Sequence, residues 1–419
     1  MFTAITAMTR WRIIGLVYAV SLLFLLFQGG KTALMLFCIF NVLLVYLVLG
    51  RWSGIGSVTG SRRLAGVGGA TLEQTLTAGA RVDVQVFVQI PGVWPIPYVL
   101  VRDRLIRQDG EPVPFEASFV PSYRRSGEIV YTTPPLERGV YRFAKTECST
   151  RDIFGLFEHT GTFESPAPFS VYPRMVAIRQ WQILRRGAKG PYSTSASRLS
   201  AKETTQINGV REYIYGDKLS RIHWNATAKT GQWKSKEFEH ESLPRTVIML
   251  DRYSGGYERS EQFELAVSTV ASLMDFGFRR SAAMGLLSVG EALQGFDPQP
   301  TSAQRQLVMN HLVRVQADGS APLYRALRQG ESLVPPGSIV VLVTPEKGEE
   351  TVKAMEWLGR RGAVPVLIYL KGITAYSAGG GMERGASEWL RLLAKGGFSV
   401  HAIESLRELP DTLEGGSAR

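Results

Sequence analysis

The sequence predicts a multidomain protein: an apolar two-helix hairpin, then a small β-sandwich-like domain, then an α/β domain built on a mostly parallel sheet. Three observations carry this. Two uncharged apolar runs, Ile13 to Gly30 and Thr32 to Gly50, stand at the N-terminus. Arg81 to Val88 alternates polar and apolar side chains, the period of a half-buried strand. Beyond residue 244 apolar strand-like runs alternate with amphipathic helical segments, as a parallel sheet covered on both faces requires.

The hairpin occupies residues 1–52, with spans at about 12–30 and 32–50. Each run approaches the ~20 residues a helix needs to cross about 30 Å of hydrocarbon. A helix is required there because lipid offers no partner to backbone polar groups. Gln28-Gly29-Gly30-Lys31 leaves room only for a tight turn. A cleaved signal peptide is the competing reading of the first run, but no small-residue cleavage site stands out and a second run follows at once.

Charge orients the hairpin. The net charge is +11, and six basic residues, Arg10, Arg12, Lys31, Arg51, Arg62 and Arg63, precede Glu73, the first acidic one. Only Lys31 lies between the runs, so the positive-inside rule places both chain ends in the cytoplasm, as a multi-pass protein of the inner (plasma) membrane. The charge thus points to a lipid bilayer, and with no recognition motif beside it, nucleic acid is not an expected partner. The two cysteines, Cys38 and Cys148, lie too far apart in sequence and setting to suggest a disulfide framework.

Residues 53–70, rich in Gly and Ser, read as a flexible juxtamembrane linker whose Arg62 and Arg63 meet anionic headgroups. Residues 71–175 read as the β domain, with strands at 81–88, 98–106, 115–120, 127–133, 139–147 and 168–172. Pro91, Gly92, Pro95, Pro97 and Pro134-Pro135 separate them. Leu136 to Phe143 and Arg151-Asp152-Ile153-Phe154-Gly155-Leu156-Phe157 stand out, and each reads physically as a turn leading into a strand, with its aromatics in the core.

Residues 176–243 read as a connecting segment that holds a dense polar motif from Val210 to Glu239. Ser220 to Ala228 has helical character, with Asp217 or Ser220 as its cap. Arg211, Asp217 and Arg221 suggest a buried ion-pair knot. The rival reading is a hydrolase that uses the 211–223 motif, with His223 beside Asp217 or Glu212. No Gly-x-Ser-x-Gly elbow, His-Glu-x-x-His helix or phosphate-binding loop is present to strengthen it.

In residues 244–409, strands are expected at 245–251, 283–289, 338–344, 363–370 and 398–403, with a hairpin return to Phe296. Helices are expected at 261–276, 302–314, 321–329, 349–360 and 383–395, and residues 410–419 read as a flexible tail.

The run Arg211-Glu212-Tyr213, Gly216-Asp217, Arg221, Trp224, Ala228, then Lys236-Glu237-Phe238-Glu239, resembles the signature of the DUF58 family. The upstream Arg-Gly-Val-Tyr and Arg-Asp-Ile-Phe-Gly-Leu-Phe pieces match it too. His223 departs from the pattern, since the family often carries an acid there. The resemblance implies a C-terminal domain of the von Willebrand factor A-like type. It also implies work beside a MoxR-type AAA+ ATPase in envelope-related or complex-assembly tasks, with other envelope proteins as further partners. Arg211, Glu212, Tyr213, Gly216, Asp217, Arg221, Trp224, Ala228, Lys236 and Glu237 then act as structural or docking residues, with no catalytic residue and no cofactor. A-type domains often hold a divalent cation by oxygen ligands after the first strand. Here that set is degenerate: Asp251 is kept, Ser254 stands one position off, Ser320 is a remote third donor, and Arg252 opposes a cation. The expected function is a membrane-anchored, non-catalytic adaptor or scaffold. A metal-dependent A-domain binder is the third reading.

Overall fold

The computed structural model describes residues 2–66, 76–108, 110–183, 202–214, 219–241, 245–328, 334, 337–372 and 381–415. The chain forms two compact units, Met1–Tyr172 and Pro173–Arg419.

The first unit opens with helices α1 (Phe2–Gln28) and α2 (Gly30–Leu49). Both are long and apolar enough to cross a membrane, and almost none of either is buried in the protein. Leu16, Val20, Phe27, Leu34 and Val42 all face outward. A water-soluble helix with this composition would bury such side chains.

The expected linker is folded up to residue 66; residues 67–70 lie outside the described set. After α2 the chain makes 3-10 turns at Gly50–Trp52 and Ile55–Ser57 and enters strand β1 (Thr59–Gly66). Ile55 and Val58 are buried in the core of the β domain. Gly54 is required at this corner: its φ is +76°, and a Cβ there would sit 1.8 Å from the Pro91 carbonyl oxygen. Arg125 ties the corner down, donating to the carbonyls of Ile90 (3.1 Å), Pro91 (3.1 Å), Trp94 and Ser53.

Strands β2 (Val82–Gln89), β3 (Val99–Arg107), β4 (Val113–Phe119), β5 (Ser126–Thr132), β6 (Gly139–Phe143), β7 (Thr146–Arg151), β8 (Glu158–Phe163) and β9 (Phe169–Val171) complete the unit. They form a three-stranded sheet, β1-β2-β5, and a second sheet, β8-β7-β3-β6-β9, with β4 also on β3. Val82, Val84, Val86 and Val88 of the first sheet share one core with Val99, Val101 and Leu105 of the second. The alternation read in the sequence is therefore a real inward face. The expected strand 139–147 is two strands. The chain bends after Phe143, so β6 pairs with the end of β3 (Leu105 opposite Phe143) and β7 with its start (Leu100 opposite Ser149). β1 was not expected from the sequence, and β8 is the strand that the Arg151–Phe157 turn leads into.

Arg62 does not reach lipid. Its side chain is fully buried and donates to both carboxylate oxygens of Asp103 at 2.8 Å. Thr146 and Tyr131 hydroxyls complete the cluster, Tyr131 donating to Asp103 at 2.6 Å. The guanidinium also lies 3.8 Å from the centre of the Phe143 ring. Arg63 is exposed and stands over Phe87.

In the second unit, β10 (Lys202–Glu212) and β11 (Lys234–Glu241) form an antiparallel ribbon, with helix α3 (Trp224–Thr230) between them. The α/β part runs β12 (Thr246–Asp251), α4 (Ser260–Arg279), β13 (Met284–Val289), β14 (Leu293–Phe296), α5 (Ser302–Arg314) and α6 (Leu323–Leu327). It continues with β15 (Ile339–Thr344), α7 (Glu349–Arg360), β16 (Val364–Leu370), α8 (Gly381–Lys395), β17 (Ser399–Ile403) and α9 (Leu409–Glu414). The sheet order is β14-β13-β12-β15-β16-β17. Every pair is parallel except the β14 edge, which is antiparallel. The expected tail begins as α9, because Leu409 and Leu413 are buried; residues 416–419 lie outside the described set.

Candidate functional site

Connections leave β12 toward β13 on one side, and the chain later returns to β15 on the other. The carboxyl ends of β12 and β15 thus flank the topological switch point, where open α/β sheets place their ligands. Asp251 ends β12 and Thr344 ends β15. The Thr344 hydroxyl donates to Asp251 Oδ2 at 2.6 Å, and the Tyr253 amide donates to Oδ1 at 2.9 Å. The carboxyl is fully buried, and burial pushes its pKa up to about 6 against these two hydrogen bonds. Glu346 follows two residues after Thr344. Its own burial, then the charges of Asp251 and Glu350, lift it to about 7.

The expected cation ligands do not converge. Ser254 turns its hydroxyl away to donate to the Gly319 carbonyl at 3.0 Å, and Ser320 is exposed. Arg252 fills the neighbourhood. It donates to the Gln316 carbonyl at 3.1 Å and the Ser288 hydroxyl at 3.3 Å, and it pairs with Asp318. Asp318, the other acid near these loops, is taken by the Arg252 guanidinium, and among the described residues no group of three or more His, Cys, Asp or Glu is gathered to hold a metal ion. Sequence reasoning found Asp251 but missed Thr344 and Glu346. Pro345 directly follows Thr344, and the acid comes one residue later.

The polar motif lies on the ribbon and its crossing helix. Arg211 and Tyr213 are half-buried, and Glu212 is exposed and pairs with Lys234 at 3.2 Å. Trp224 and Ala228 are exposed on α3, and Lys236 is half-buried on β11. Tyr213 and Trp224 both pack against Trp233. Gly216 and Asp217 lie outside the described residues. Arg221 and Glu237 are placed by their backbone alone, in a 3-10 turn (Leu219–Arg221) and in β11. The expected continuous helix from Ser220 is broken at Ile222, which is buried and bridges to Ser235. The cap of α3 is therefore neither Asp217 nor Ser220. It is His223, whose Nδ1 accepts from the Ala226 amide at 3.1 Å. That use of the ring lone pair explains why a histidine serves at this position.

The family model described as "Protein of unknown function DUF58" matches residues 209–366, from the ribbon to β16. Over residues 209–366 this chain is similar to the DUF58 family. The DUF58 match thus includes both the polar motif and the Asp251–Thr344 switch point. The "Uncharacterized protein YeaD" of Bacillus subtilis (strain 168) is 27% identical over 327 residues, covering 76% of this chain and 78% of YeaD, well beyond the DUF58 match. Among solved structures, proximal thread matrix protein 1 from the mussel byssus is 15% identical with a TM-score of 0.30, covering 41% of this chain and 46% of that one. A CARDB domain from Pyrococcus furiosus, in complex with di-metal ions, is 16% identical with a TM-score of 0.17, covering 27% of this chain and 86% of that one. Likenesses this partial leave the fold to be read from this chain alone.

Proposed function

We propose that this chain is a membrane-anchored adaptor or scaffold that works by binding. Its two apolar helices cross the inner membrane with both ends in the cytoplasm, and its α/β part is of the von Willebrand factor A-like type. The observation that carries the reading is the pair of outward-facing apolar helices running without slack into a folded domain. A binding role is supported at the switch point. There several polar groups are spent on neighbours within the protein: Arg252 on Asp318, Thr344 on Asp251, Ser254 on a backbone carbonyl. His223 is likewise spent as a helix cap. Following the DUF58 resemblance, the partner is a MoxR-type AAA+ ATPase, and the loops at the carboxyl end of the sheet are the docking surface.

Detergent extracts tagged on this chain should recover such an ATPase in a nucleotide-dependent way. Ser320→Arg with Lys347→Glu, both exposed loop positions at that end of the sheet, should release it while the protein stays folded. Recovery unaffected by these changes would move the docking surface elsewhere. Absence of any AAA+ ATPase under complex-preserving conditions would overturn the partnership.

A further inference from the structure

The Arg151–Phe157 motif, left unexplained by the reading above, forms a rigid loop at one end of the β domain. Asp152 organises it from inside. Oδ1 accepts from the amides of Phe154 at 2.8 Å and Leu156 at 3.2 Å, and Oδ2 accepts from Phe157 at 2.5 Å. Gly155, at φ +66°, closes the turn. Phe157 points inward and is buried, whereas Ile153 and Phe154 stand at the tip, 71% and 58% exposed. So ordered a loop has no folding reason to present two large apolar side chains to water.

Its neighbours indicate what covers it. The Tyr46 hydroxyl accepts from the Ile153 amide at 3.3 Å, and the Tyr46 ring meets Phe154 edge-on at 6.1 Å. Trp11 packs on Phe157 at 4.9 Å, and Tyr46 also packs on Trp94 at 5.7 Å. Tyr46 lies one turn before the end of the second apolar stretch and Trp11 begins the first. These are the positions where aromatic side chains sit at a bilayer boundary. Val93, 98% exposed, is on the neighbouring loop beside Trp94, and Trp52, 70% exposed, follows α2 directly.

We infer that this end of the β domain is itself seated in the bilayer interface, with Ile153, Phe154, Val93 and Trp52 inserted at the depth of Tyr46. The occupant of the apolar patch is lipid, because the patch is continuous with the helices that the bilayer already surrounds. The inference rests on the membrane-spanning reading of α1 and α2.

The test uses the full chain reconstituted in lipid vesicles, with Cys38→Ser to remove the exposed thiol. Cys148 stays, since burial pushes that thiol up to about 12 and leaves it unreactive. Single nitroxide labels go at Ile153→Cys, at Ile39→Cys on the outer face of α2, and at Glu111→Cys at the far end of β3, about 26 Å along the strand at ~3.3 Å per residue. Collision rates with oxygen and with a water-soluble nickel chelate give depth. The label at 153 should favour oxygen over nickel, though less strongly than the one at 39 near the middle of the span, while the label at 111 favours nickel. If 39 reads as lipid and 153 reads as water, the inference fails and the membrane anchor stands. If 39 itself reads as water, the anchor fails and takes the inference with it. A label at 153 shielded from both reagents means protein covers the patch, and this also overturns the proposal.

Discussion

At the residue scale the Arg62–Asp103 pair is the most consequential contact in the first unit. Both side chains are fully buried, and the Tyr131 and Thr146 hydroxyls and the Ser165 carbonyl spend polar groups on them. Removing one member strands the other charge in a dry core, which costs about 3–5 kcal/mol, whereas replacing the set with apolar groups of similar volume is far milder. Asp103→Ala should therefore lower the thermal midpoint of the β domain sharply. Arg62→Met with Asp103→Leu and Tyr131→Phe should recover most of that loss, as followed by near-ultraviolet circular dichroism. Equal losses in the two variants would argue that the pair is a net source of stability.

Asp251 and Glu346 give a second residue-scale expectation. Both carboxyls are raised on folding, to about 6 and about 7 from ordinary values near 4. The folded state then holds its protons more tightly than the unfolded chain. The resulting stabilisation is full below the ordinary carboxyl range and is lost as pH rises through 6 and 7. For a buried group like Asp251, a shift of this size corresponds to roughly 3 kcal/mol. The second unit should be more stable near pH 5 than near pH 8, and Asp251→Asn should flatten that slope. A slope unchanged in the variant would place its origin in other groups.

At the element scale, α3 is only seven residues long and depends on its ends. His223 caps one end and Gly231, at φ +68°, closes the other. His223→Ala should cost about 1 kcal/mol of local stability, with Asp at the same position restoring it. Amide hydrogen exchange from Ala226 to Thr230 would report this without requiring global unfolding. Elements dominated by burial were legible in the sequence: α4, β12, β15 and β16 lie close to their expected bounds because continuous apolar runs leave few alternatives. Elements held by specific partners were not. β1 carries Gly, Ser and Arg and looks like a linker. It becomes a strand because β2 offers eight backbone positions and Asp103 offers a counter-charge, neither of which is local in sequence. The split between β6 and β7 was hidden for the same reason, since both halves satisfy one strand pattern. At the candidate site, Asp251 was visible as an acid ending an apolar strand, while Thr344 and Glu346 became meaningful only once β15 was known to lie beside β12.

At the scale of the whole molecule, two units of different construction share one chain, the first all-β behind its apolar helices, the second mainly α/β. The parallel sheet draws its stability from non-local pairing, so the second unit is expected to form more slowly than either apolar helix. The DUF58 match falls wholly in that second unit, whereas the apolar helices and the Arg151–Phe157 loop belong to the first.

The corner at Gly54, clamped by Arg125, removes the slack between α2 and β1. With the helices anchored in a bilayer, the β domain is then held at one height and one tilt, like a bracket bolted to a wall. Anything that recognises it meets it in a thin layer along the membrane, so encounter becomes a lateral search in two dimensions and its rate follows surface density.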